Sequence, residues 1–390
     1  MTAKSKMKVP RVAGMSFGAF FFCFMSIFSL AMIIKNSEIA IEYMQTGLRL
    51  CATNVIPSLF PFMVISELLV SSGFGEVFGK TLGMSFRRLF AISRAGSSAV
   101  LLGAVCGFPV GAKTAVSLYD RGTITREELE RLLTFCNIPS SGFLISAVGI
   151  SLFSSRQFGI FLYCTAMVAA FLSGIIGRML CRSRASDEIP TVSLQVDRIG
   201  VSTFTTAVSS ATASMLSVCS YVIFFSSVIG CLSHALGTLS LPAHLEALLF
   251  GVFEISSGVS AASMVGSTPT AAAICGFIIG WSGISVHFQI MSLCGNRGIS
   301  FFPYFISKLC QGILCGVSAW GYVKFLAPDM LSGAQSTGVI RPDGVRLRYT
   351  LVICLIFLLC IIWRYGRRKR FGQKSNNKPQ SQSIDKRPPM

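Results

Sequence analysis

The chain has 390 residues, of which 52% are hydrophobic and 13% are charged, and its mean hydropathy is +0.66. A chain this apolar has too little polar side-chain surface to cover a soluble globule, so its composition excludes a soluble protein. The net charge of +18 lies beside apolar segments and in the tails. This placement indicates membrane orientation rather than nucleic-acid binding, and we expect no nucleic-acid partner.

Several apolar runs reach the roughly 20 residues that a bilayer-spanning helix needs, which predicts an all-α polytopic membrane protein. The first run, residues 12–34, follows a basic start and is predicted to be a signal-anchor helix with a cytoplasmic N-terminus. An amphipathic stretch at residues 39–51 then leads into a span at residues 54–70 that returns to the cytoplasm.

Residues 99–118 are long enough to cross the bilayer once, but glycine and proline interrupt them. Gly107, Pro109 and Gly111 loosen or remove helical hydrogen bonds within this run. A hairpin that re-enters from the cytoplasm and returns keeps the following basic loops on the positive side of the membrane. We therefore predict a first re-entrant hairpin here, followed by a span near residues 132–153 that is broken at residues 135–142.

The second half repeats this order of segments. After a span at residues 158–180 and a linker come an amphipathic stretch at residues 199–213 and a span at residues 215–236. The next segments are a hairpin broken at Ser256-Ser257-Gly258, a span broken at residues 280–285, and spans at residues 301–326 and 349–363. This arrangement predicts about eight crossings and two hairpins, with the two halves related as an inverted repeat.

The predicted parts follow one another without overlap. They are an anchor helix (1–36), a first repeat (37–181), a cytoplasmic linker (182–198), a second and inverted repeat (199–328), an external loop with a final helix (329–366) and a basic disordered cytoplasmic tail (367–390). Paired interruptions at corresponding positions of two halves indicate the substrate site of a secondary transporter.

Non-helical backbone inside a bilayer is tolerated where it lines a wet cavity, and the helix N-termini that follow a break favour anions. The predicted substrate-binding residues are Gly107, Pro109, Gly111, Lys113, Asn137, Ser140, Ser141, Ser256, Ser257, Ser282 and Ser285. We expect a small anionic or polar, ring-sized solute. Lys113 could serve as its counter-charge, or its ammonium could instead reach the cytoplasmic interface.

Two carboxylates are candidates for ion coupling. Glu254, just before the second hairpin's break, could carry a proton or bind Na⁺, or it could hydrogen-bond the backbone of Ser256 or Ser257. Glu67 could have the same coupling role or only reach the interface. Beyond a possible coupling H⁺ or Na⁺ we predict no cofactor.

The sequence contains no catalytic grouping of serine, histidine and acid, no metalloprotease motif and no phosphate-binding loop, so we predict that the protein is not an enzyme. Most of its 14 cysteines lie in apolar runs without the spacing of a metal site. We interpret them as small hydrophobic side chains and predict no metal site.

Three segments resemble a known family. They are residues 106–113 (Cys-Gly-Phe-Pro-Val-Gly-Ala-Lys), residues 119–129 (Tyr-Asp-Arg-Gly-Thr-Ile-Thr-Arg-Glu-Glu-Leu) and residues 133–142 (Leu-Thr-Phe-Cys-Asn-Ile-Pro-Ser-Ser-Gly). They resemble the sporulation integral membrane proteins typified by YlbJ, also called SpoVV. That family carries Gate, or nucleoside-recognition, domains distantly similar to concentrative nucleoside transporters, and the likeness covers about residues 40–330.

The resemblance implies passage of dipicolinic acid, a planar aromatic dicarboxylate, across the outer forespore membrane during endospore formation. A nucleoside or another small solute is the alternative substrate, and a non-transporting scaffold or receptor is the alternative class. The expected partners are the bilayer and the solute, with a possible second copy of the chain.

Overall fold

The computed structural model describes residues 17–71, 83–180, 200–237, 242–265 and 269–327, and every regular element in these ranges is a helix. The predicted all-α class is confirmed. The predicted linker, the final helix at residues 349–363 and the basic tail lie outside the described residues. The described part belongs to one compact unit.

The helices differ widely in length. In chain order they are α1 (Phe17–Lys35), α2 (Ser37–Leu50), α3 (Ile56–Ser71), α4 (Gly83–Phe90), α5 (Gly96–Cys106), α6 (Val110–Asp120), α7 (Arg126–Leu133), the π-helix α8 (Phe143–Leu152), α9 (Arg156–Leu180), α10 (Val201–Gly237), α11 (Ala243–Phe253), α12 (Ile255–Met264), α13 (Pro269–Trp281), α14 (Gly283–Cys294) and α15 (Phe302–Gly321). π-Helical turns at Cys51–Val55 and Tyr322–Leu326 join α2 to α3 and extend α15.

Four described segments are long and apolar enough to cross a membrane. They are Arg156–Arg178, Val201–His234, Pro269–Cys294 and Phe302–Leu326. Shorter apolar helices, among them α5 and α11, supply the remaining hydrophobic length. The total of eight crossings stays a prediction.

The two longest helical segments run antiparallel along each other. A Cβ atom at Gly230 would meet the ring of Tyr43, one at Gly47 would meet Ser226, and the Cys51 thiol faces the carbonyl of Cys219. One partner is α2 with its π turn and α3, and the other is α10, whose 37 residues form a single helix. The predicted amphipathic stretch at residues 199–213 continues without a break into the predicted span at residues 215–236.

The first hairpin is formed by α5 and α6 and turns at Gly107–Pro109, as predicted. Gly107 has φ +82°, a left-handed conformation that glycine adopts readily, and the Phe108–Pro109 peptide bond is cis. Each arm has 11 residues and is therefore about 16 Å long, roughly half of a bilayer core. Gly111 lies inside α6 rather than in the break, which corrects the prediction. It faces Gly103 of the other arm.

The second hairpin is formed by α11 and α12, and it has the same design. Its break lies at Glu254, not at residues 256–258 as predicted, because the Glu254 side chain caps α12 and starts that helix at Ile255. Gly251 and Gly258 face each other across the arms. In both hairpins a glycine pair lets the two helices touch through their backbones.

Each hairpin packs against a broken span. The first broken span consists of the unwound residues 134–140 and α8, preceded by the charged helix α7; the second consists of α13, Ser282 and α14. The backbone N–H of Phe108 donates to the carbonyl of Ile138, and the Trp281 indole donates to the carbonyl of Val252. The predicted order of parts is present in both halves. The repeat boundaries and the orientation in the membrane stay predictions.

The glycine contact between the first hairpin and the first broken span leads to a prediction. Replacing Gly103 by valine should destabilise the fold by about 3 kcal/mol or more, since its Cβ would overlap the Cys136 carbonyl oxygen and backbone cannot move aside as a side chain can. Gly321→Val is the control, because nothing lies within 4 Å of a Cβ there. Membrane abundance and Tm in detergent measure the effect. Equal Tm values for the two variants would contradict this packing.

Candidate functional site

A buried cavity of about 20 Å³ lies where the four breaks meet. Phe108 and Ser140 come from the first hairpin and first broken span, and Glu254 and Ser285 from the second pair. The long helices complete its wall with Val55, Leu59, Val218 and Val222. A site of this volume holds about one water molecule, whereas pockets for small organic ligands are roughly 300–1,000 Å³. In this structure the cavity is therefore too small for an organic ligand.

Two cavity-lining side chains carry polar atoms with no hydrogen-bond partner among the described residues. They are the hydroxyl of Ser285 and the amide oxygen Oε1 of Gln289, which lie one turn apart on α14. Both residues are buried. Because an unpaired buried polar atom is unfavourable, these two groups indicate a hydrogen-bonding occupant of the cavity.

Glu254 is fully buried and caps the helix that follows it. Its carboxylate accepts the backbone N–H groups of Ser256 at 3.0 Å and Ser257 at 2.6 Å. The N-terminus of α12, predicted to bind an anionic substrate, is thus already occupied by a carboxylate of the chain itself. Glu254 also lines the cavity.

Ser140 caps the second segment of the first broken span, because its hydroxyl accepts the N–H of Phe143 at 3.1 Å. By contrast, α6 and α14 have no side-chain cap at Pro109 and Ser282. Ser282 has φ +75°, which non-glycine residues seldom adopt. Ser141 does not line the cavity.

A buried lysine that the sequence analysis did not select connects the two broken spans. Lys308 of α15 donates to the backbone carbonyl of Asn137 at 2.5 Å and to the Ser282 hydroxyl at 3.3 Å. The side-chain Nδ2 of Asn137 donates to the carbonyl of Leu133, so this residue supplies its backbone oxygen rather than its amide to the neighbouring helix.

Two neighbours of Lys308 bind the same unwound segment. The Ser307 hydroxyl donates to the carbonyl of Thr134 at 2.7 Å, and Gln311 Nε2 donates to the same carbonyl at 2.8 Å. Together with Lys308 they satisfy two carbonyls that have left the helix. An ionisable residue in an apolar span is a functional candidate by default. Lys308 could have been found in this way, because it is a charged residue within the predicted span at residues 301–326.

Lys113 lies away from the cavity lining. Its ammonium pairs with the carboxylate of Glu67 and donates to the hydroxyls of Ser210 at 2.6 Å and Ser214 at 3.2 Å. The two residues predicted as substrate counter-charge and coupling carboxylate therefore neutralise each other, at a contact between α3, α6 and α10.

The loops after the first hairpin and after the second broken span meet on one side of the protein. Arg297 binds Asp120 bidentately, at 2.7 and 2.8 Å, and Glu130 accepts the N–H of Ser300 at 2.8 Å. The hydrogen bond from Arg297 lowers the pKa of the Asp120 carboxyl below its ordinary value. This contact holds the two segments together on one side of the described helices.

His287 is packed against Tyr304 in the interior of the described helices. Its Nδ1 and the Tyr304 hydroxyl are 2.8 Å apart, and both side chains are buried. Within the described residues, no three of His, Cys, Asp and Glu come together as metal ligands.

These features define a polytopic helical membrane protein in which two broken spans and two hairpins enclose a polar site. The sporulation integral membrane protein YlbJ of Bacillus subtilis (strain 168) is 28% identical to this chain in an alignment 387 positions long, which covers 87% of this chain and 94% of YlbJ. This similarity over nearly the whole of both proteins supports placing the chain in the YlbJ-like family. No protein-family model and no solved structure matches the chain.

The pairing of Lys113 with Glu67 predicts a specific pattern of stability. Lys113→Met should destabilise the protein by about 1–3 kcal/mol, because it leaves the half-buried Glu67 carboxylate without its counter-charge. Lys113→Met combined with Glu67→Leu should recover most of that loss. Thermal unfolding in detergent compares the variants, and a double variant as unstable as the single one would contradict the pairing.

The loop contact predicts a charge-swap effect. Asp120→Arg and Arg297→Asp should each lower stability, and the combined variant should recover about 0.2–1 kcal/mol through the reversed pair. Since the pKa of Asp120 is lowered from 3.8, the wild-type contribution is fully present above that pH and is lost as pH falls through the folded-state pKa. Tm measured across pH tests the sign, and additive effects of the two substitutions would count against the contact.

Proposed function

We propose that the protein is a transporter or facilitator for a small solute in the membranes of a sporulating cell. The observation that carries this proposal is that residues at or next to the breaks of both halves line one buried cavity, where polar side chains such as Ser140, Glu254 and Ser285 are set in a mostly apolar wall. The name of the Bacillus subtilis relative supports a sporulation role. A scaffold has no need of four interrupted membrane segments that meet at unpaired polar atoms, because each interruption removes helical hydrogen bonds.

Transport requires the closed cavity to open. A ring-sized solute does not fit into about 20 Å³, so the hairpins must move away from the long helices before it can bind. The two long helical segments come from different predicted repeats and run antiparallel, as expected for an inverted repeat. In transporters with inverted repeats, exchange of conformation between the two halves gives access to the central cavity from alternate sides, and this supports the proposal.

The first substrate candidate is dipicolinate, which the protein would carry across the outer forespore membrane, as the family resemblance implies. Glu254 imposes a condition on it, since an ionised carboxylate in the cavity repels a dianion. Protonation of Glu254 removes that repulsion, so we propose proton coupling through Glu254. Glu67, which is paired with Lys113, is the weaker coupling candidate.

A neutral hydrogen-bonding solute of the nucleoside kind is the second candidate. The same Glu254 charge favours it over an anion, and the hydroxyl of Ser285 and the amide of Gln289 suit its donors and acceptors. The lining serines and glutamine do not by themselves decide between the two solutes.

Flux of labelled dipicolinate and uridine into proteoliposomes tests the proposal. Ser285→Ala and Gln289→Leu should each lower transport about 3- to 10-fold, because one buried hydrogen bond contributes about 0.5–1.5 kcal/mol. Ser151→Ala and Gln45→Leu are matched controls at exposed positions.

The outcomes separate the candidates. Dipicolinate flux that requires an imposed proton gradient, and that loses this requirement in Glu254→Gln because glutamine is always uncharged, supports the first candidate. Uridine flux without dipicolinate flux supports the second. No flux of either solute, and no competition by either in a binding assay, would leave the scaffold class as the answer.

A further inference from the structure

Lys308 places a positive charge in the interior of the helical bundle. The residue is only 1% exposed, and it lies in the second turn of α15, which belongs to one of the four described segments long enough to cross a membrane. A lysine at such a position is unfavourable unless its surroundings replace the water around the ammonium group. The groups around Lys308 must therefore stabilise its positive charge.

The ammonium is held by oxygen atoms from three different parts of the fold. They are the backbone carbonyl of Asn137 in the first break, the hydroxyl of Ser282 in the second break and the amide Oε1 of Gln311 one turn along α15, at 2.5, 3.3 and 3.3 Å. Each of the three ammonium hydrogens thus has an acceptor.

The orientation of Gln311 is fixed by its other contacts. Its Nε2 donates to the carbonyl of Thr134 and to the hydroxyl of Ser307 at 2.9 Å. Both of these bonds need the amide nitrogen on that side, so the amide oxygen must face Lys308. The oxygen set is therefore preformed.

Lys308 differs from the other lysine at a contact between membrane segments. Lys113 pairs with the carboxylate of Glu67, whereas every recorded partner of Lys308 within the described residues is a neutral oxygen. An ion pair between side chains balances its own charge. Neutral oxygens around a positive charge are instead the environment that proteins provide for a bound hard cation.

We propose that the Lys308 ammonium occupies a monovalent-cation site between the two broken spans. Unwound carbonyls near the bilayer midplane are the groups that coordinate Na⁺ in transporters with broken helices. An ammonium is likewise a compact, strongly hydrated charge, so it needs oxygen atoms in place of its water shell. The chain supplies this cation covalently. For transport, a consequence that rests on the proposed function, it follows that flux needs no Na⁺ and that Glu254 remains the coupling group.

The site can be tested without any transport assay. Lys308→Ala removes the ammonium and leaves the three oxygens with space between them. In choline chloride, whose cation is too large for the site, the purified full-length variant should melt several degrees below wild type. Sodium, potassium or ethylammonium chloride at the same ionic strength should raise its Tm saturably and recover at least half of the loss, because a ligand that binds only the folded state stabilises it.

Three comparisons make the test specific. Wild type should show no Tm difference between choline and the smaller cations. Lys308→Met should be destabilised without recovery, since its apolar side chain fills the site. Lys324→Ala, which removes an exposed lysine beyond the end of α15, should behave like wild type.

Two results would overturn the proposal. One is a folded Lys308→Ala protein whose Tm responds to none of the cations, which would make Lys308 a hydrogen-bond donor only. The other is failure of Lys308→Ala to accumulate in cells, since cellular K⁺ and Na⁺ should occupy the site. Because these readouts do not use flux, a failure of transport in proteoliposomes leaves them unaffected.

Discussion

The backbone carbonyls of the first broken span depend on hydrogen-bond donors from outside that span. The membrane interior offers no water to a carbonyl that has left its helix, so the protein must supply the donors. Ser307, Lys308 and Gln311 of α15 bind the carbonyls of Thr134 and Asn137, and the N–H of Phe108 binds that of Ile138. These contacts satisfy the unwound carbonyls that precede Ser140, which lines the cavity.

Close packing of backbone against backbone is the second interaction on which the two hairpins depend. Where two half-length helices fold back in a bilayer, they gain little from apolar side chains and more from contact between small residues. Gly103 with Gly111, and Gly251 with Gly258, give both hairpins this contact. The hairpins can therefore insert beside the broken spans and bring their tips to the cavity. The repetition of the device in both halves matches the repeated order of their segments.

Sequence patterns predicted the class, the order of segments and the break at Gly107–Pro109, because apolar run length and helix-breaking residues are local properties. They misplaced the second hairpin's break, since the cap made by Glu254 depends on one side chain and not on a glycine or proline. They included Lys113 among the substrate-binding residues. Its partner Glu67 lies 46 residues away in the chain, so local sequence spacing could not reveal the ion pair. Lys308 was visible in the sequence as a charge within an apolar span, but its role depends on contacts with two distant breaks.

The loop contact between Asp120 and Arg297 makes the two faces of the molecule unequal. In the transport cycle that we propose, opening on the side of these loops separates a bidentate ion pair, whereas opening on the other side leaves that pair intact. Exposed ion pairs are weakened by dissolved salt. Ionic strength on the loop side should thus change how readily the protein opens toward that compartment, and the same change in the opposite compartment should have no effect through this pair.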